Sequence, residues 1–164
     1  MAITPQDLGN IIVVVSYDKQ LLPEPQTAGA YCADLQNDQD FSIEPGEVKL
    51  IDTWVKVAMP QGIVCKIYSR SSTPVKQWLT LANSVGIVDS DYRWEIKLQL
   101  HNITSKTISI PKHTRLCQLH FESSLFYTGP VPTIEYKEDE DLYNNFEHVY
   151  PTDRWTWWHG STGK

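Results

Sequence analysis

The sequence is poor in cysteine, has no basic excess and contains no long apolar run, and each shortage excludes a class of protein. Its three cysteines lie far apart without a Cys-x-x-Cys pair, which argues against a disulfide framework or a zinc site and favours a cytoplasmic location. No apolar stretch approaches the roughly 20 residues of a membrane span, and the first residues lack the layout of a signal peptide. The net charge of −6 leaves no broad basic face. We therefore expect neither a membrane nor a nucleic-acid partner.

Glycine is also scarce, whereas tryptophan is abundant. The 164 residues include eight glycines, about 5% against a usual ~7%, and six tryptophans. Apolar residues make up 41% and charged residues 21% of the chain. This composition predicts one globular domain with a substantial core, and the imbalance between glycine and tryptophan is its one unusual feature.

Alternation with a period of two dominates the hydrophobic pattern. Residues 55–59 and 96–101 alternate so that one face of each predicted strand meets the core and the other meets water. Residues 11–17, 63–68 and 115–121 are rich in β-branched or aromatic side chains and predict further strands. One short helix is expected near 73–78, with Ser72 or Thr73 at its N-cap and Pro74 in its first turn. The fold class is therefore all-β, a sandwich or a barrel.

The last thirty residues differ from the rest of the chain. Residues 135–148 carry six acidic side chains and few residues of the core type, and an aromatic and polar segment follows Pro151. This pattern predicts three parts: a β-domain over residues 1–134, an acidic linker over 135–153 and a C-terminal arm over 154–164.

One candidate for catalysis is the tight turn of residues 86–92. It holds two carboxylates, Asp89 and Asp91, and the phenol of Tyr92 directly before a strand. A carboxylate that a rigid hairpin fixes in place is a plausible general base. The alternative is an ordinary polar turn, in which Asp and Ser are common.

A second candidate is Ser69-Arg70-Ser71-Ser72, directly before the predicted helix. Hydroxyls, backbone N–H groups and a guanidinium together form a natural cradle for phosphate. The alternative is a simple helix cap beside a surface arginine.

In their order, five segments resemble the five motifs of the trimeric deoxyuridine triphosphatase (dUTPase) family. The segments are residues 28–35, 69–72, 83–93, 115–119 and 154–163. The resemblance implies a jelly-roll-like β-barrel that forms a homotrimer with active sites shared between subunits. It further implies a magnesium-dependent hydrolysis of dUTP to dUMP and pyrophosphate.

The resemblance also implies roles for particular residues. Asp89 would activate the water that attacks the α-phosphorus, and Asp34 would help to hold Mg²⁺ indirectly, through water. Tyr92 would lie under the deoxyribose, and Asn83 would bind the uracil edge. The complete set of implied substrate-binding residues is Arg70, Ser71, Ser72, Asn83, Gly86, Val88, Tyr92, Gln118, Arg154, His159, Gly160, Ser161 and Thr162.

The same resemblance suggests an explanation for the abundance of tryptophan. All six stand where members of the family have glycine, at positions 54, 78, 94, 155, 157 and 158. Reading them as glycine would restore the usual proportion of glycine. One hypothesis is that the gene uses UGA for glycine and that UGA was decoded here as tryptophan. The alternative is genuine tryptophan, with the rings of the arm stacking on the base.

Two other functions stay open at this point. The related dCTP deaminase family shares the fold and the Arg-Ser-Ser and Ile-Asp signatures, although this chain has Asp91-Tyr92 where deaminases usually have Gly and an aromatic residue. A non-catalytic interaction protein with the dUTPase fold is the second alternative.

Overall fold

Twelve short strands dominate the computed structural model, which describes residues 7–125, 127–152 and 154. The all-β prediction is therefore confirmed. The strands are β1 (Ile11–Ser16), β2 (Ala33–Gln36), β3 (Phe41–Ile43), β4 (Val48–Asp52), β5 (Val55–Ala58), β6 (Ile63–Ser69), β7 (Leu79–Leu81), β8 (Gly86–Val88), β9 (Lys97–Asn102), β10 (Ile108–Ile110), β11 (Arg115–Ser123) and β12 (Thr133–Glu138).

Strand pairing within the described residues produces four open sheets. The largest has the order β2-β11-β6-β8, and the others have the orders β12-β1-β5, β4-β9-β7 and β10-β3. The predicted closed barrel is wrong for this part of the chain. The physical reason is that the large sheet ends in β2 and β8, which are only four and three residues long, so their ladders stop before they reach a neighbouring sheet.

The inner faces of all four sheets share one apolar core. Val14, Leu35, Ile43, Leu98 and Leu119 are nearly or fully inaccessible to water and belong to this cluster. Burial of each such side chain contributes roughly 1.5–3 kcal/mol of transfer free energy. The predicted alternation holds along β9, where every second residue is buried.

A second apolar cluster lies on the other side of β5, and it corrects the predicted alternation there. The sequence pattern assigned Lys56 and Ala58 to a water-facing side, but all four residues of β5 are buried. The Lys56 ammonium donates to the Tyr143 carbonyl at 2.9 Å and to Glu147 Oε1 at 3.0 Å. It also lies 4.5 Å from the centre of the Tyr143 ring. The lysine stays paired although it is buried.

Residues 135–150 form ordered structure, which corrects the prediction of an acidic linker. Strand β12 pairs in parallel with β1, and two short helices follow, α1 (Glu140–Asn144) and α2 (Phe146–Val149). The physical reason is the spacing of Tyr143, Phe146 and Tyr150, three and four residues apart, which puts three rings on one side. These rings are buried in the second cluster.

A single helical turn (Thr73–Gln77) confirms the predicted short helix. Ser72 occupies the N-cap without a side-chain bond, and proline lies in the first turn. The buried Thr73 hydroxyl donates to the Leu116 carbonyl at 2.5 Å and so ties the turn to β11. None of the helices in the described part of the chain has the length and apolarity that a membrane span needs.

Two tryptophans lie in left-handed backbone, a conformation that glycine adopts without steric cost. The φ angle is 55° at Trp54, between β4 and β5, and 60° at Trp78, at the end of the helical turn. Such a φ costs a side-chain-bearing residue about 1–3 kcal/mol. Trp54 recovers part of this cost, because its indole Nε1 donates to Asp38 at 2.5 Å and its ring meets Tyr17 edge-on. Trp78 is 58% exposed.

Trp78→Gly is therefore expected to raise the free energy of unfolding by about 1 kcal/mol, because it relieves the left-handed strain and gives up little buried surface. Urea denaturation monitored by circular dichroism measures the change. Trp94→Gly is the matched control, since Trp94 is not among the described residues with positive φ. Equal effects at both positions would contradict the assignment of strain to Trp78.

Candidate active site

The turn after β8 presents two carboxylates to one guanidinium. The turn is closed by a bond from the Tyr92 N–H to the Asp89 carbonyl at 3.1 Å. Arg154 Nη1 lies 2.9 Å from Asp89 Oδ2 and 2.8 Å from Asp91 Oδ1. The Asp89 side chain is 58% exposed. The predicted base therefore stands at the surface, paired with a described residue of the C-terminal segment.

Tyr92 turns inward from the same turn. Its hydroxyl donates to the Glu95 carbonyl at 2.9 Å, and burial raises the pKa of Tyr92 to about 12. The phenol therefore stays protonated at neutral pH and keeps its role as a donor. The bond at the hydroxyl holds the ring in place, and Tyr92 lines a neighbouring cleft.

A small open cleft of about 110 Å³ lies beside the turn. Four residues from the predicted set line it: Asn83, Gly86, Val88 and Tyr92. The other lining residues are Ile67, Leu81, Ile87, Ile96, Lys97 and Gln99. The cleft therefore combines an apolar floor with a few polar groups.

Gly86 determines how closely β8 approaches β6. A Cβ atom at this position would lie 3.0 Å from the Ile67 Cβ and 3.6 Å from the Asn83 side-chain nitrogen. Any larger residue must push β8 away from β6 or fill the cleft. Glycine therefore lets the two strands pack this closely, and a Cβ atom here would make Ile67 shift by a few tenths of an ångström.

A second group of charged residues lies where β2, β6 and β11 meet. It consists of Asp34, Arg70 and Arg115 and is called the Asp34 group below. Arg70 Nε lies 2.9 Å from Asp34 Oδ1, and Arg115 Nη1 lies 3.5 Å from Asp34 Oδ2. Asp34 is only 9% exposed at its side chain. Gln118 pairs with Asp34 across β11 and β2. The exposed Ser71 follows Arg70 directly.

The two groups lie at different ends of one sheet. Val88 pairs with Cys65, whereas Ser69 lies four residues further along β6 and leads into Arg70. Because β8 runs antiparallel to β6, Asp89 continues away from Ser69. At about 3.3 Å per residue, Asp89 and Arg70 are separated by roughly 15–20 Å along the sheet.

Some of the predicted site lies outside the described residues. This applies to His159, Gly160, Ser161 and Thr162 and to the tryptophans at 155, 157 and 158. Arg154 is described, and it faces the turn rather than the Asp34 group.

The described residues contain no set of three His, Cys, Asp or Glu side chains that could hold a metal ion. Both oxygens of Asp34 face guanidinium groups. Direct coordination of a metal ion by Asp34 would therefore require these ion pairs to break, whereas Mg²⁺ often keeps its water ligands and binds through them. A cage made of protein ligands alone does not fit.

Sequence reasoning missed three residues with clear positions here. Arg115 was part of a motif but had no assigned role, and it pairs with Asp34. Lys97 and Gln99 were only expected to face water, and they line the cleft. The alternation along β9 predicted on which face of the strand Lys97 and Gln99 lie. Nothing in the sequence indicated that a cleft lies on that face.

Comparison with known proteins identifies the family. A family model described as dUTPase matches residues 18–148. The deoxyuridine 5'-triphosphate nucleotidohydrolase of Corynebacterium glutamicum is 32% identical over 155 residues, which are 93% of this chain and 95% of the relative. The crystal structure of a dUTPase from Streptococcus mutans has a TM-score of 0.65 and 35% identity, covering 70% of this chain and 94% of that chain.

A more distant structure shows the same fold. It is a dUTPase from phage phi11 of Staphylococcus aureus, described for its coordination of a structural Mg(II) ion, with a TM-score of 0.62 and 20% identity. It covers 76% of this chain and 96% of that chain. The chain therefore has the fold of the dUTPases. Because the family model spans most of the sequence, the chain belongs to the dUTPase family, and the predicted resemblance is confirmed.

Asp34→Asn is expected to lower the free energy of unfolding by about 1–2 kcal/mol, because Arg70 and Arg115 then lose their shared, largely buried partner. Chemical denaturation measures the loss. Glu135→Gln is the control, since its pair with Lys137 at 3.0 Å is exposed at both side chains, and it should change stability by less than about 0.5 kcal/mol. Equal losses from the two variants would contradict a special role of Asp34.

Proposed function

We propose that this protein hydrolyses dUTP to dUMP and pyrophosphate, with Asp89 as the general base. The observation that carries the proposal is the exposed Asp89 carboxylate on a closed turn beside the cleft of Asn83, Gly86 and Tyr92. The named activity of the relatives supports it. The matched family gives no support to a dCTP deaminase.

The proposed reaction is an in-line attack of water on the α-phosphorus. Asp89 takes one proton from the water while the new P–O bond forms. The bond between the α-phosphorus and the bridging oxygen breaks, and its electron pair leaves with pyrophosphate. The proton on Asp89 then passes to solvent. A positioned general base of this kind contributes typically 10²- to 10⁴-fold to a rate.

The cleft would hold the nucleoside. Asn83 would bind the uracil edge, and Gly86 and Val88 would bound the pocket so that a 5-methyl group does not fit. Tyr92 would lie under the deoxyribose and leave no space for a 2′-hydroxyl. The bond from the Tyr92 hydroxyl to Glu95 supports this, because it fixes the ring.

The phosphates would be bound by the Asp34 group and by the C-terminal segment. Arg70, Ser71, Ser72 and Gln118 would contact phosphate oxygens, and Arg154 would pair with the γ-phosphate. From the arm, the residues assigned to substrate by resemblance are His159, Gly160, Ser161 and Thr162, with His159 stacking on uracil where relatives have Phe.

Asp34 would help to hold magnesium indirectly, through water, as the resemblance to the family implies. Magnesium, when bound, neutralises negative charge on the leaving pyrophosphate. Asp34 itself keeps Arg70 and Arg115 in place around the phosphates. The protein would act in the cytoplasm, and neither nucleic acid nor a membrane would be a partner.

We also propose a homotrimer whose sites are shared between subunits. The separation of roughly 15–20 Å between Asp89 and Arg70 along one sheet supports this, because a triphosphate with its nucleoside cannot be bound compactly across that length. The neighbouring subunit would supply the Asp34 group to the cleft.

We propose that all six tryptophan positions are encoded by UGA. The gene would use UGA for glycine, and UGA was decoded here as tryptophan. The left-handed backbone at Trp54 and Trp78 supports this, because glycine fits there without strain. The coding DNA decides the matter: TGA is expected at all six positions, and TGG at two of them would refute the proposal.

Asp89→Asn should lower kcat for pyrophosphate release from dUTP by about 10²- to 10⁴-fold while nucleotide binding persists, because only the base is lost. Asp91→Asn is the matched control, since Asp91 is on the same turn and pairs with the same arginine. It should lower kcat by less than about tenfold. The glycine-restored protein is the parent for both variants. Equal hydrolysis by the parent and Asp89→Asn would refute Asp89 as the base, whereas no hydrolysis from the parent would favour the non-catalytic interaction protein.

The shared site predicts rescue between two inactive chains. In mixed trimers of Asp89→Asn and Arg70→Ala subunits, isolated through two different tags, about one site in three should combine an intact Asp89 with an intact Arg70. We expect hydrolysis near one third of the parent value, measured as pyrophosphate release. Mixed trimers no more active than the parental variants would refute the shared site.

A further inference from the structure

One carboxylate bonds the backbone that follows the catalytic turn to the junction between β4 and β5. Glu95 Oε1 accepts from the backbone N–H of Thr53 at 3.0 Å and from that of Trp54 at 3.1 Å. These two residues separate β4 from β5, whereas Glu95 lies two residues before β9. A single side chain therefore connects two parts of the chain that are more than forty positions apart.

The left-handed backbone at position 54 belongs to this contact. Successive backbone N–H groups in such a turn form a concavity that binds an anion. The φ angle of Trp54 is 55°, and the N–H groups of Thr53 and Trp54 both donate to the same Glu95 oxygen. The positive φ therefore has a consequence beyond its strain, because it forms a cradle for the Glu95 carboxylate.

Two further bonds hold the next residue to the same junction. The Thr53 hydroxyl donates to the Ile96 carbonyl at 2.5 Å, and Thr53 is fully buried. The Ile96 N–H donates to the Val55 carbonyl at 2.8 Å. The Glu95 carboxylate is the part of this attachment that lies nearest to the turn, and it can be removed without altering the backbone bonds.

The backbone of Glu95 in turn holds Tyr92. The Tyr92 hydroxyl donates to the Glu95 carbonyl at 2.9 Å, and the tyrosine lines the cleft beside the turn. A shift of the backbone at residue 95 would carry the partner of the phenol with it. The position of the Tyr92 ring therefore depends on how firmly Glu95 is held.

We propose that Glu95 is a positioning residue for sugar discrimination. By bonding to the cradle at residues 53 and 54, its side chain fixes the backbone carbonyl to which Tyr92 is bonded. The ring then stays close enough to the cleft to accept a deoxyribose and to exclude the 2′-hydroxyl of a ribose. This inference rests on the proposed hydrolysis of dUTP, and it gives Glu95 a role that acts through Tyr92.

The ratio of kcat/KM for dUTP to kcat/KM for UTP measures this role, with pyrophosphate release as the assay and the glycine-restored protein as parent. Glu95→Ala should lower the ratio by about tenfold, because the ring then yields to the 2′-hydroxyl. Turnover of dUTP should change much less. An unchanged ratio would overturn the inference.

Two conservative variants separate reach from charge. Glu95→Gln keeps an oxygen at the same distance along the side chain and should retain most of the discrimination. Glu95→Asp keeps the charge but is one methylene shorter, so it should lose discrimination as Glu95→Ala does. The opposite order of these two variants would contradict a role that depends on the bonds to residues 53 and 54.

Tyr92→Phe tests whether Glu95 acts through the tyrosine, because it removes the bond to the Glu95 carbonyl. The double variant Glu95→Ala/Tyr92→Phe should discriminate no worse than the poorer of the two single variants. Effects that multiply, as expected of independent sites, would overturn the coupling.

Asn102→Ala is the control for general destabilisation. Asn102 is also buried and bonds two backbone carbonyls, those of Ile43 and Lys106, at 2.9 and 2.8 Å. Its loss destabilises the fold at the far end of β9 and should leave the ratio for dUTP and UTP unchanged. A loss of discrimination as large as that of Glu95→Ala would assign the effect to stability and overturn the positioning role.

Hydrogen exchange of the amides at positions 53 and 54, followed by NMR, tests the contact without turnover. Both amides should exchange at least about tenfold faster in Glu95→Ala than in the parent, because their acceptor is gone. Unchanged exchange would overturn the inference even where dUTP is hydrolysed. A parent that hydrolyses no dUTP but protects these amides would refute the proposed function, and the role in discrimination with it, while confirming the Glu95 contact.

Discussion

The close approach of β8 to β6 at Gly86 is the constraint on which the rest of the site depends. With a Cβ position only 3.0 Å from the Ile67 Cβ, any side chain here would displace Ile67 or move the two strands apart by a few tenths of an ångström. The ladder creates the floor of the cleft and fixes the register in which Val88 meets Cys65. That register sends Asp89 away from Arg70. The β6–β8 ladder therefore bounds the cleft and also separates the two charged groups, and under the proposed function this separation supports a site completed by a second subunit.

Much of the fold could be predicted from local pattern, and two of the errors, those at β5 and in the acidic segment, have one cause. The alternation of β9 and the proline-started helical turn are local features, and both are confirmed. The predictions for β5 and for the acidic segment were wrong because each is buried by the other, across a separation of about ninety residues. Tyr143, Phe146 and Tyr150 cover the side of β5 that carries Lys56. The helical spacing of these rings was in the sequence, but the surrounding acidic residues concealed it.

Site residues were predictable where a motif required them and not where packing placed them. The motif pattern named Asn83, Gly86 and Tyr92, and the structure gathers them around one cleft. Lys97 and Gln99 join that cleft only because β9 lies beside the turn. The pairing of Arg154 with Asp89 and Asp91 joins positions more than sixty residues apart, which no sequence periodicity encodes.

The two arginine–carboxylate groups differ in how readily a phosphate could replace the carboxylate. Asp89 and Asp91 are 58% and 49% exposed at their side chains, and exposed ion pairs contribute at most about 1 kcal/mol. Under the proposed function, Arg154 could therefore turn to a phosphate at little cost, and Asp89 would then be free to act as the base. Asp34 is nearly buried between two arginines, so this group is better suited to stay in place and present a fixed surface. Under the proposed function, Arg70 would then be prearranged for the nucleotide, whereas Arg154 exchanges partners on binding. An overall charge of −6 does not oppose this, because the attraction is local to a few guanidinium groups rather than spread over the surface.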